Sequence, residues 1–322
     1  MILADFLPAE PDRSWKLAQQ VGVTHAIVKA APELTGLQAP DDLDALRTVQ
    51  KRFADAGFQL IGMEGDQFDM QRIKLGREGR DEDLEKYCQM LRNMGELGIS
   101  LLCYNFMATI GWFRTQVKVP ARGGAWTNRF VLSEVEPGDV PQEDQVTEEK
   151  LWENYRYFIK AVMPTAEAAG VSMGLHPDDP PLSPLRGVGR IFSSPDGFAK
   201  AMELSDSPSH GITFCQANFV AMGADLPKCI ERFASRIKFI HFRDVKGSAE
   251  DFEETFHDNG PTDMAEVIRL YAAAGLDAPI RVDHVPTMEG EDNRNHGYAV
   301  LGRLFALGYL KGILDTHRIP YR

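Results

Sequence analysis

Residues 151–176 read LWENYRYFIKAVMPTAEAAGVSMGLH and contain one complete unit of the pattern that predicts the fold. Gly170 follows a helical segment, and glycine readily takes the left-handed conformation that ends a helix. The apolar run Val171–His176 then predicts a strand that is buried on both faces. The helical segment itself has apolar side chains every three or four positions, as an amphipathic helix requires: Leu151, Tyr155, Phe158, Ile159, Val162 and Ala166.

The same unit of helix, glycine and strand recurs along the chain. Gly57, Gly98 and Gly275 also separate a helical segment from an apolar run. Alternating strands and helices form a parallel sheet with right-handed crossovers, and eight such units in one chain predict a (β/α)₈ TIM barrel. A doubly wound sheet is disfavoured, because no Gly-x-Gly-x-x-Gly motif follows any strand. The predicted strands are Ile2–Phe6, Val23–Ala30, Phe58–Glu64, Ser100–Phe106, Val171–His176, Gly211–Cys215, Ile237–Phe242 and Pro279–His284.

Two long segments interrupt this regular alternation. Residues 107–146 follow the fourth strand and residues 176–194 follow the fifth, and both are predicted as long irregular loops. Each lies at the carboxyl end of a strand, where barrel enzymes build their sites. No linker or change of composition divides the sequence, so we expect residues 1–322 to form a single catalytic domain.

Composition and charge exclude several classes of partner. A net charge of −12 and a pI of about 5.2 disfavour nucleic acid, which demands a basic surface. The chain has neither a signal peptide nor the roughly 18 to 20 consecutive apolar residues of a membrane helix. Four cysteines are too few for a disulfide framework in a chain of this length. We therefore expect a cytoplasmic protein without membrane contacts, and homo-oligomerisation stays open.

Four consecutive predicted strands end in side chains that bind transition metals. These are His176, Cys215, His241 and Asp283, on strands five to eight. The carboxyl ends of parallel strands meet at one mouth of a barrel, and neighbouring strands are about 4.8 Å apart. Two imidazoles, a thiolate and a carboxylate suit Mn²⁺, Fe²⁺ or Zn²⁺ better than Mg²⁺ or Ca²⁺. A single such residue is more often structural, but four on successive strands predict a metal centre.

Two motifs at the strand ends point to a known family. Residues 176–181 read His-Pro-Asp-Asp-Pro-Pro, and residues 103–107 read Cys-Tyr-Asn-Phe-Met. On these motifs the chain resembles the mannonate dehydratase family, whose members are metal-dependent barrels of the xylose-isomerase-like superfamily. The resemblance implies dehydration of a sugar acid, D-mannonate, to 2-keto-3-deoxy-D-gluconate with one Mn²⁺ or Fe²⁺ ion. It implies the same four metal ligands, with His284 and Tyr298 as the essential histidine and tyrosine.

The implied chemistry explains these residue types. Removal of a proton beside a carboxylate creates a second negative charge, which a divalent metal ion stabilises. A base must take that proton, and an acid must protonate the departing hydroxyl. We expect His284 and Tyr298 to share these roles, with their division open. Adjacent side chains point apart in a strand, so His284 and Asp283 can serve one site only if the strand ends there.

Substrate contacts are expected from residues near the same mouth. Arg114 is predicted to bind the substrate carboxylate or a hydroxyl, with an ordinary surface arginine as the alternative. Asn105, within the Cys-Tyr-Asn-Phe-Met motif, is also predicted to contact substrate. His257 is expected either to line the mouth or to cap a loop.

Other functions remain open at this stage. The sequence departs from the family pattern at several positions, so a dehydratase for another aldonic acid is an alternative. These positions are Gly111, Gln216, Ala217, Asn218, Val282, Val285 and Glu289. A second alternative is a metal-dependent sugar isomerase or epimerase of the same superfamily, against which the thiolate ligand and Arg114 argue. A non-catalytic sugar-acid-binding protein would not need the pair of His284 and Tyr298.

Overall fold

The computed structural model describes residues 1–138 and 140–322. Its strands are β1 Ile2–Phe6, β2 His25–Val28, β3 Gln59–Glu64, β4 Leu101–Tyr104, β5 Gln116–Pro120, β6 Trp126–Val131, β7 Ser172–Leu175, β8 His210–Cys215, β9 Ile237–Phe242, β10 Val245–Ser248, β11 Asp251–Glu254 and β12 Pro279–Val282. Its α-helices are α1 Arg13–Gln20, α2 Pro32–Thr35, α3 Leu43–Asp55, α4 Gln71–Leu75, α5 Arg80–Glu96, α6 Glu148–Ala168, α7 Pro195–Met202, α8 Gln216–Ala221, α9 Leu226–Phe233, α10 Met264–Ala273 and α11 Val300–Thr316.

Eight of the strands close into a parallel barrel, in the order β1-β12-β9-β8-β7-β4-β3-β2. Every predicted strand is present, and the TIM-barrel prediction is confirmed. The register of the last strands sets the height of the site, because Cys215 of β8 pairs with His241 of β9, and His241 pairs with Arg281 of β12. Side chains from three neighbouring strands therefore reach the mouth of the barrel at one level.

The predicted helix ends are also confirmed. Gly57, Gly98, Gly170 and Gly275 have φ between 67° and 85°, and each lies two residues beyond its helix. The apolar stripe predicted for α6 is buried against the barrel, and burial of each large apolar side chain contributes about 1.5–3 kcal/mol. Within the described residues, no helix combines the length and the apolar character needed to cross a bilayer.

The barrel interior is filled by side chains rather than open. A small cluster inside the strands is separate from the larger core between strands and helices. This packing closes the centre of the barrel and leaves a site at the carboxyl ends of the strands. The interior cluster consists of Ala4, Ile27, Ile61, Leu101, Cys103 and Phe239.

The segment predicted as an irregular loop after the fourth barrel strand is in part a β-hairpin. Strands β5 and β6 pair with each other and then with β11 and β10, giving an antiparallel sheet in the order β10-β11-β6-β5. We call these four strands the accessory sheet. Gly123 and Gly124 turn the chain between β5 and β6 with φ of 66° and 85°. Such a glycine pair between runs of high β-propensity is a hairpin signal, but the partner strands are more than 100 residues away.

Candidate metal centre and active site

The four predicted metal ligands converge at the mouth of the barrel. His176, Cys215, His241 and Asp283 each offer one ligand atom, and these atoms lie within 4.8 Å of one another. Cys215 is the last residue of β8 and His241 the next-to-last of β9. His176 and Asp283 directly follow β7 and β12. The four residues cluster because each lies at the carboxyl end of a strand, and these ends meet at one rim of a parallel barrel.

Asp283 lies close to two of the other predicted ligands. Its Oδ2 lies 3.4 Å from His241 Nδ1 and 4.0 Å from Cys215 Sγ. The ring of His176 stands 5.0 Å from that of His241, centroid to centroid. His176 Nδ1 lies 2.7 Å from the carbonyl oxygen of Pro177. That contact fixes the ring and leaves His176 Nε2 free to face the cluster.

Two observations fit a divalent cation. Both ring nitrogens of His241 are buried and lack a hydrogen-bond partner, although buried polar atoms are nearly always paired. The charges connected to the cluster also do not balance. With the His241 ring neutral, as a metal ligand must be, three guanidiniums face four carboxylates and one thiolate, which leaves two negative charges in excess. A divalent cation would neutralise them. The groups are Arg114, Arg243 and Arg281 against Glu64, Asp179, Glu254, Asp283 and Cys215.

The electrostatic potential at the cluster favours a cation as well, and a metal ion that binds there displaces the proton of His241. Burial opposes ionisation of Cys215, but the Arg243 guanidinium, whose Nε lies 3.2 Å from Sγ, contributes to lowering the pKa of the thiol to about 5. Burial and Arg281 act to lower the pKa of His241, yet Glu64 and Asp283 outweigh them and raise it well above its ordinary value. The site therefore presents a thiolate and a negative potential, both of which attract a transition-metal cation.

The predicted histidine–tyrosine pair lies beside the cluster. His284 Nε2 is 3.2 Å from the hydroxyl oxygen of Tyr298. Side chains alternate between the two faces only within a strand, and β12 ends at Val282. Asp283 and His284 can therefore lie on the same side of the chain. A bridge between Val285 and Gly297 then brings the tyrosine back towards the histidine.

The accessory sheet contributes a carboxylate to this pair. Glu254 Oε1 lies 3.0 Å from His284 Nδ1, and Arg243 Nη1 lies 2.5 Å from the same nitrogen. Burial opposes the charge on Glu254, but Arg243, His284 and Arg114 together lower its pKa to about 2. Glu254 is therefore ionised at neutral pH.

Arg114 belongs to a buried network behind the site. Its guanidinium contacts Asp179, at 3.1 Å from Nη2 to Oδ2, and Glu254, at 3.2 Å from Nε to Oε1. Arg243 contacts the same two carboxylates, at 2.6 Å and 2.9 Å. We call these four side chains the ion-pair network. It is fully buried, so each charge is compensated by a partner within the protein.

A cavity opens over the cluster, and it contains some of the predicted substrate contacts. Asn105 lines it, together with His284 and Tyr298. Arg114 and His257 are not among its lining residues; His257 instead lies 2.7 Å from the carbonyl oxygen of Phe242 at the end of β9. The lining comprises Glu64, Gly65, Cys103, Tyr104, Asn105, Met107, Trp112, His176, Asp179, Arg281, Asp283, His284 and Tyr298.

Several residues of the site were missed by the sequence analysis. Glu64 ends the third predicted strand, so the rule that found the ligands could have found it too. Asp179 lies within the His-Pro-Asp-Asp-Pro-Pro motif, and Arg281 lies inside the eighth strand. Glu254 had no such signal, because only the pairing of β11 with β6 brings it to the mouth.

Comparisons with known proteins identify the family of the chain. The sequence profile of the D-mannonate dehydratase (UxuA) family matches residues 14–143 and 138–320. A mannonate dehydratase of Enterococcus faecalis is 32% identical over 333 aligned positions, covering 90% of this chain and 92% of the relative. The crystal structure of mannonate dehydratase from Streptococcus suis superposes with a TM-score of 0.89 at 29% identity, covering 98% of this chain and 94% of that one.

A more distant structure shows the fold alone. A xylose isomerase domain protein from Planctomyces limnophilus superposes with a TM-score of 0.62 at 15% identity, covering 98% of this chain and 96% of that one. The match to the dehydratase profile over nearly the whole chain is far more specific, and it confirms the family predicted from the motifs at residues 103–107 and 176–181. The chain belongs to the D-mannonate dehydratase family of hydro-lyases.

Proposed function

We propose that this protein removes water from D-mannonate to give 2-keto-3-deoxy-D-gluconate, with one Mn²⁺ or Fe²⁺ ion bound by His176, Cys215, His241 and Asp283. Membership of the family supports the reaction. The unpartnered nitrogens of His241 and the excess negative charge support the metal. The bound ion would supply Lewis-acid stabilisation for the charge that develops on the substrate carboxylate.

The observation that carries the proposal is a line of three side chains beside the metal ligands. Glu254 contacts His284 Nδ1, and His284 Nε2 contacts the Tyr298 hydroxyl. Arg243 Nη1, at 2.5 Å from Nδ1, can only donate, so the proposed base requires that Nη1 moves aside and Nδ1 donates its proton to Glu254. His284 then presents the lone pair of Nε2 to the cavity. Glu254 holds this tautomer and favours the imidazolium that forms when Nε2 takes a proton.

We assign the two proton transfers to this pair. His284 Nε2 takes the proton from C2 of the substrate, and the Tyr298 hydroxyl donates its proton to the hydroxyl that leaves C3 as water. The tyrosinate then regains a proton from His284 Nε2, which lies 3.2 Å away. The product of elimination is an enol, which tautomerises to the 2-keto-3-deoxy acid. Net proton transfer to the protein is zero, so the pair is ready for another turnover.

Asn105 is proposed as a hydrogen-bond donor to the substrate. Its Oδ1 accepts from Lys74 Nζ at 3.0 Å and from the Met107 amide at 3.1 Å. The amide nitrogen of Asn105 makes one long contact, 3.5 Å to Asp66 Oδ1, and its second hydrogen is left to donate towards an oxygen in the cavity. Arg114, in contrast, is proposed to hold Glu254 and Asp179 rather than the substrate, because its guanidinium is fully buried between them.

The positions that depart from the family pattern do not line the cavity. Gln216 is buried and contacts Met264 and Tyr271, while Gly111 and Glu289 are exposed. These departures therefore give no reason to move the substrate from D-mannonate to another aldonic acid. The segments after β3, β4, β7 and β12 all contribute to one cavity, which supports a single catalytic domain over residues 1–322.

The test is turnover of a panel of C5 and C6 aldonic acids by protein stripped of metal and reloaded with Mn²⁺. We expect 2-keto-3-deoxy acid from D-mannonate, its loss on chelation, and its loss in His284→Ala and Tyr298→Phe. Each of those substitutions removes a general acid–base group, for which a decrease of roughly 10²–10⁴-fold in kcat is typical. Both variants should still bind Mn²⁺.

Other outcomes separate the alternatives. Product from a different aldonate alone would keep the mechanism and change the substrate. An isomerised sugar in place of a keto acid would establish a sugar isomerase, and metal binding without product from any acid would leave a binding protein.

A further inference from the structure

The ring of His241 faces two different carboxylates. Nδ1 lies 3.4 Å from Oδ2 of Asp283, which is a proposed ligand. Nε2 lies 3.5 Å from Oε2 of Glu64, which is not one of the four. Both nitrogens are buried, and neither has a hydrogen-bond partner. One nitrogen therefore faces the metal cluster and the other faces Glu64.

Metal binding by one ring nitrogen of His241 fixes the protonation of the other. A neutral imidazole that binds a metal through Nδ1 carries its proton on Nε2, and a buried N–H needs an acceptor. Metal-binding histidines usually donate that proton to a carboxylate, a carbonyl or water. Glu64 Oε2 is a charged acceptor within reach, because a shift of a few tenths of an ångström turns a 3.5 Å contact into an ordinary hydrogen bond.

Glu64 is itself held in place by Arg281. Arg281 Nε lies 2.9 Å from Glu64 Oε2, and its Nη2 lies 2.5 Å from Oε1. The same guanidinium contacts Asp283 Oδ1 through Nη1 at 2.8 Å. An ionised carboxylate is thus fixed between one ligand, His241, and a guanidinium that also fixes a second ligand, Asp283.

We propose that Glu64 is the positioning residue of the metal centre: it accepts a hydrogen bond from His241 Nε2 and so leaves Nδ1 as the metal-binding nitrogen. Arg281 joins Glu64 to Asp283, so that two ligands on neighbouring strands are oriented by one unit. This inference rests on the metal centre of the proposed function.

A second role for Glu64 must be distinguished from this one. Glu64, Cys103 and His241 also place one ligand atom each within 4.8 Å of one another, which is compatible with a second cation. Arg281 disfavours that cation, because its guanidinium already neutralises Glu64, with Nε 2.9 Å from Oε2.

The test measures metal binding directly, with Glu64→Gln as the main variant. Chelator-stripped wild type and variant are titrated with Mn²⁺ by calorimetry, and Co²⁺-loaded samples are compared by visible spectroscopy. We expect the Kd for Mn²⁺ to rise about 10–100-fold, which is the usual cost of losing such a partner. The stoichiometry should remain one ion per chain, and the Co²⁺ bands should shift because the His241 ring is no longer held.

Matched variants separate positioning from general damage. Asp5→Asn also removes a buried carboxylate that pairs with an arginine, Arg303, and it should leave the Kd unchanged. Glu64→Asp retains the charge but shortens the side chain by one methylene, so it should weaken Mn²⁺ binding. This variant still tests the inference if Glu64→Gln does not fold. The metal-free melting temperature of each variant reports any general loss of structure.

Two results would overturn the inference. One is an unchanged Kd in both Glu64 variants. The other is a stoichiometry that falls from two ions in the wild type to one in Glu64→Gln, which would make Glu64 a ligand. A wild-type chain that binds no Mn²⁺ would instead overturn the metal centre of the proposed function, so the two failures are distinguishable.

Discussion

Glu254 Oε1 lies 3.0 Å from His284 Nδ1, although the two residues come from different sheets. Glu254 is the last residue of β11 in the accessory sheet, and His284 follows the barrel strand β12. The accessory sheet therefore does more than cover the mouth of the barrel. It delivers the carboxylate that orients the histidine, and the ion-pair network keeps that carboxylate ionised.

Replacement of Arg114 tests whether this arginine acts on Glu254 or on the substrate. Arg114→Met leaves Asp179 and Glu254 without one of their two guanidiniums, and breaking a buried ion pair typically costs about 3–5 kcal/mol. We expect a decrease of that order in the free energy of unfolding, measured with urea, and a lower kcat.

The control for this prediction is a surface arginine. Arg129→Met removes an exposed pair with Asp251, for which at most about 1 kcal/mol is expected. An increase of KM for D-mannonate without loss of stability in Arg114→Met would indicate that Arg114 binds the substrate carboxylate instead.

Removal of the metal should destabilise the protein. A ligand that binds only the folded state adds about 4 kcal/mol of stability at a free concentration 1,000 times its Kd. We expect Mn²⁺ to raise the melting temperature of the stripped protein and EDTA to reverse the increase. Cys215→Ser and Asp283→Asn should abolish the response, and Ca²⁺ should have little effect because thiolate is a poor ligand for it. Equal stabilisation by Ca²⁺ would speak against the four-ligand site.

Acid should destabilise the protein through His210. This buried residue lies at the start of β8, 3.3 Å from the Tyr155 hydroxyl, and burial is the main cause that lowers its pKa from 6.5 to about 4. The unfolded chain then binds the proton more tightly than the folded one. The stabilising effect of the neutral ring is full above pH 6.5 and is lost progressively as pH falls towards 4.

The size of this effect follows from the difference in pKa. Between pH 7 and pH 4.5 we expect about 2 kcal/mol of the acid-induced loss to disappear in His210→Asn. The measurement is urea unfolding of stripped protein at pH 7 and pH 4.5, in the wild type and the variant. The same loss in both proteins would show that other groups control the acid response.

Gly297 should prove critical for the catalytic loop. It has a φ of 83°, and a Cβ there would lie 3.2 Å from Asn128 Nδ2 and 3.5 Å from His284 Cδ2. Gly297→Ala combines a strained backbone, which costs about 1–2 kcal/mol, with a contact against the catalytic ring. We expect a lower kcat in addition to reduced stability.

Gly275→Ala is the matched control for this substitution. Gly275 has a φ of 70°, but a Cβ there would meet nothing within 4 Å. It should reduce stability by a similar amount and leave kcat unchanged. Equal kcat values in the two alanine variants would contradict a role for Gly297 in placing His284.

The sequence by itself determined the barrel and the cluster of four residues proposed to bind metal, because both depend on local order. Helical periodicity, as in α6, and terminal glycines such as Gly170 are properties of short segments. The ligands could be predicted because parallel strands bring their carboxyl ends to one rim of the barrel. A residue at the end of a strand is therefore expected to lie at that rim. His176 and Cys215 therefore needed only the strand boundaries to be placed.

Only the tertiary structure decided which side chains Arg114 and Glu254 contact. Arg114 and Glu254 are 140 positions apart, and they meet because β6 pairs with β11 across the mouth of the barrel. A charged side chain carries no local signal of whether it will face water, substrate or another charge. That choice depends on which distant segments exclude water around it. Arg114 thus resembled a substrate-binding residue in the sequence, and in the fold it holds the carboxylate that contacts His284.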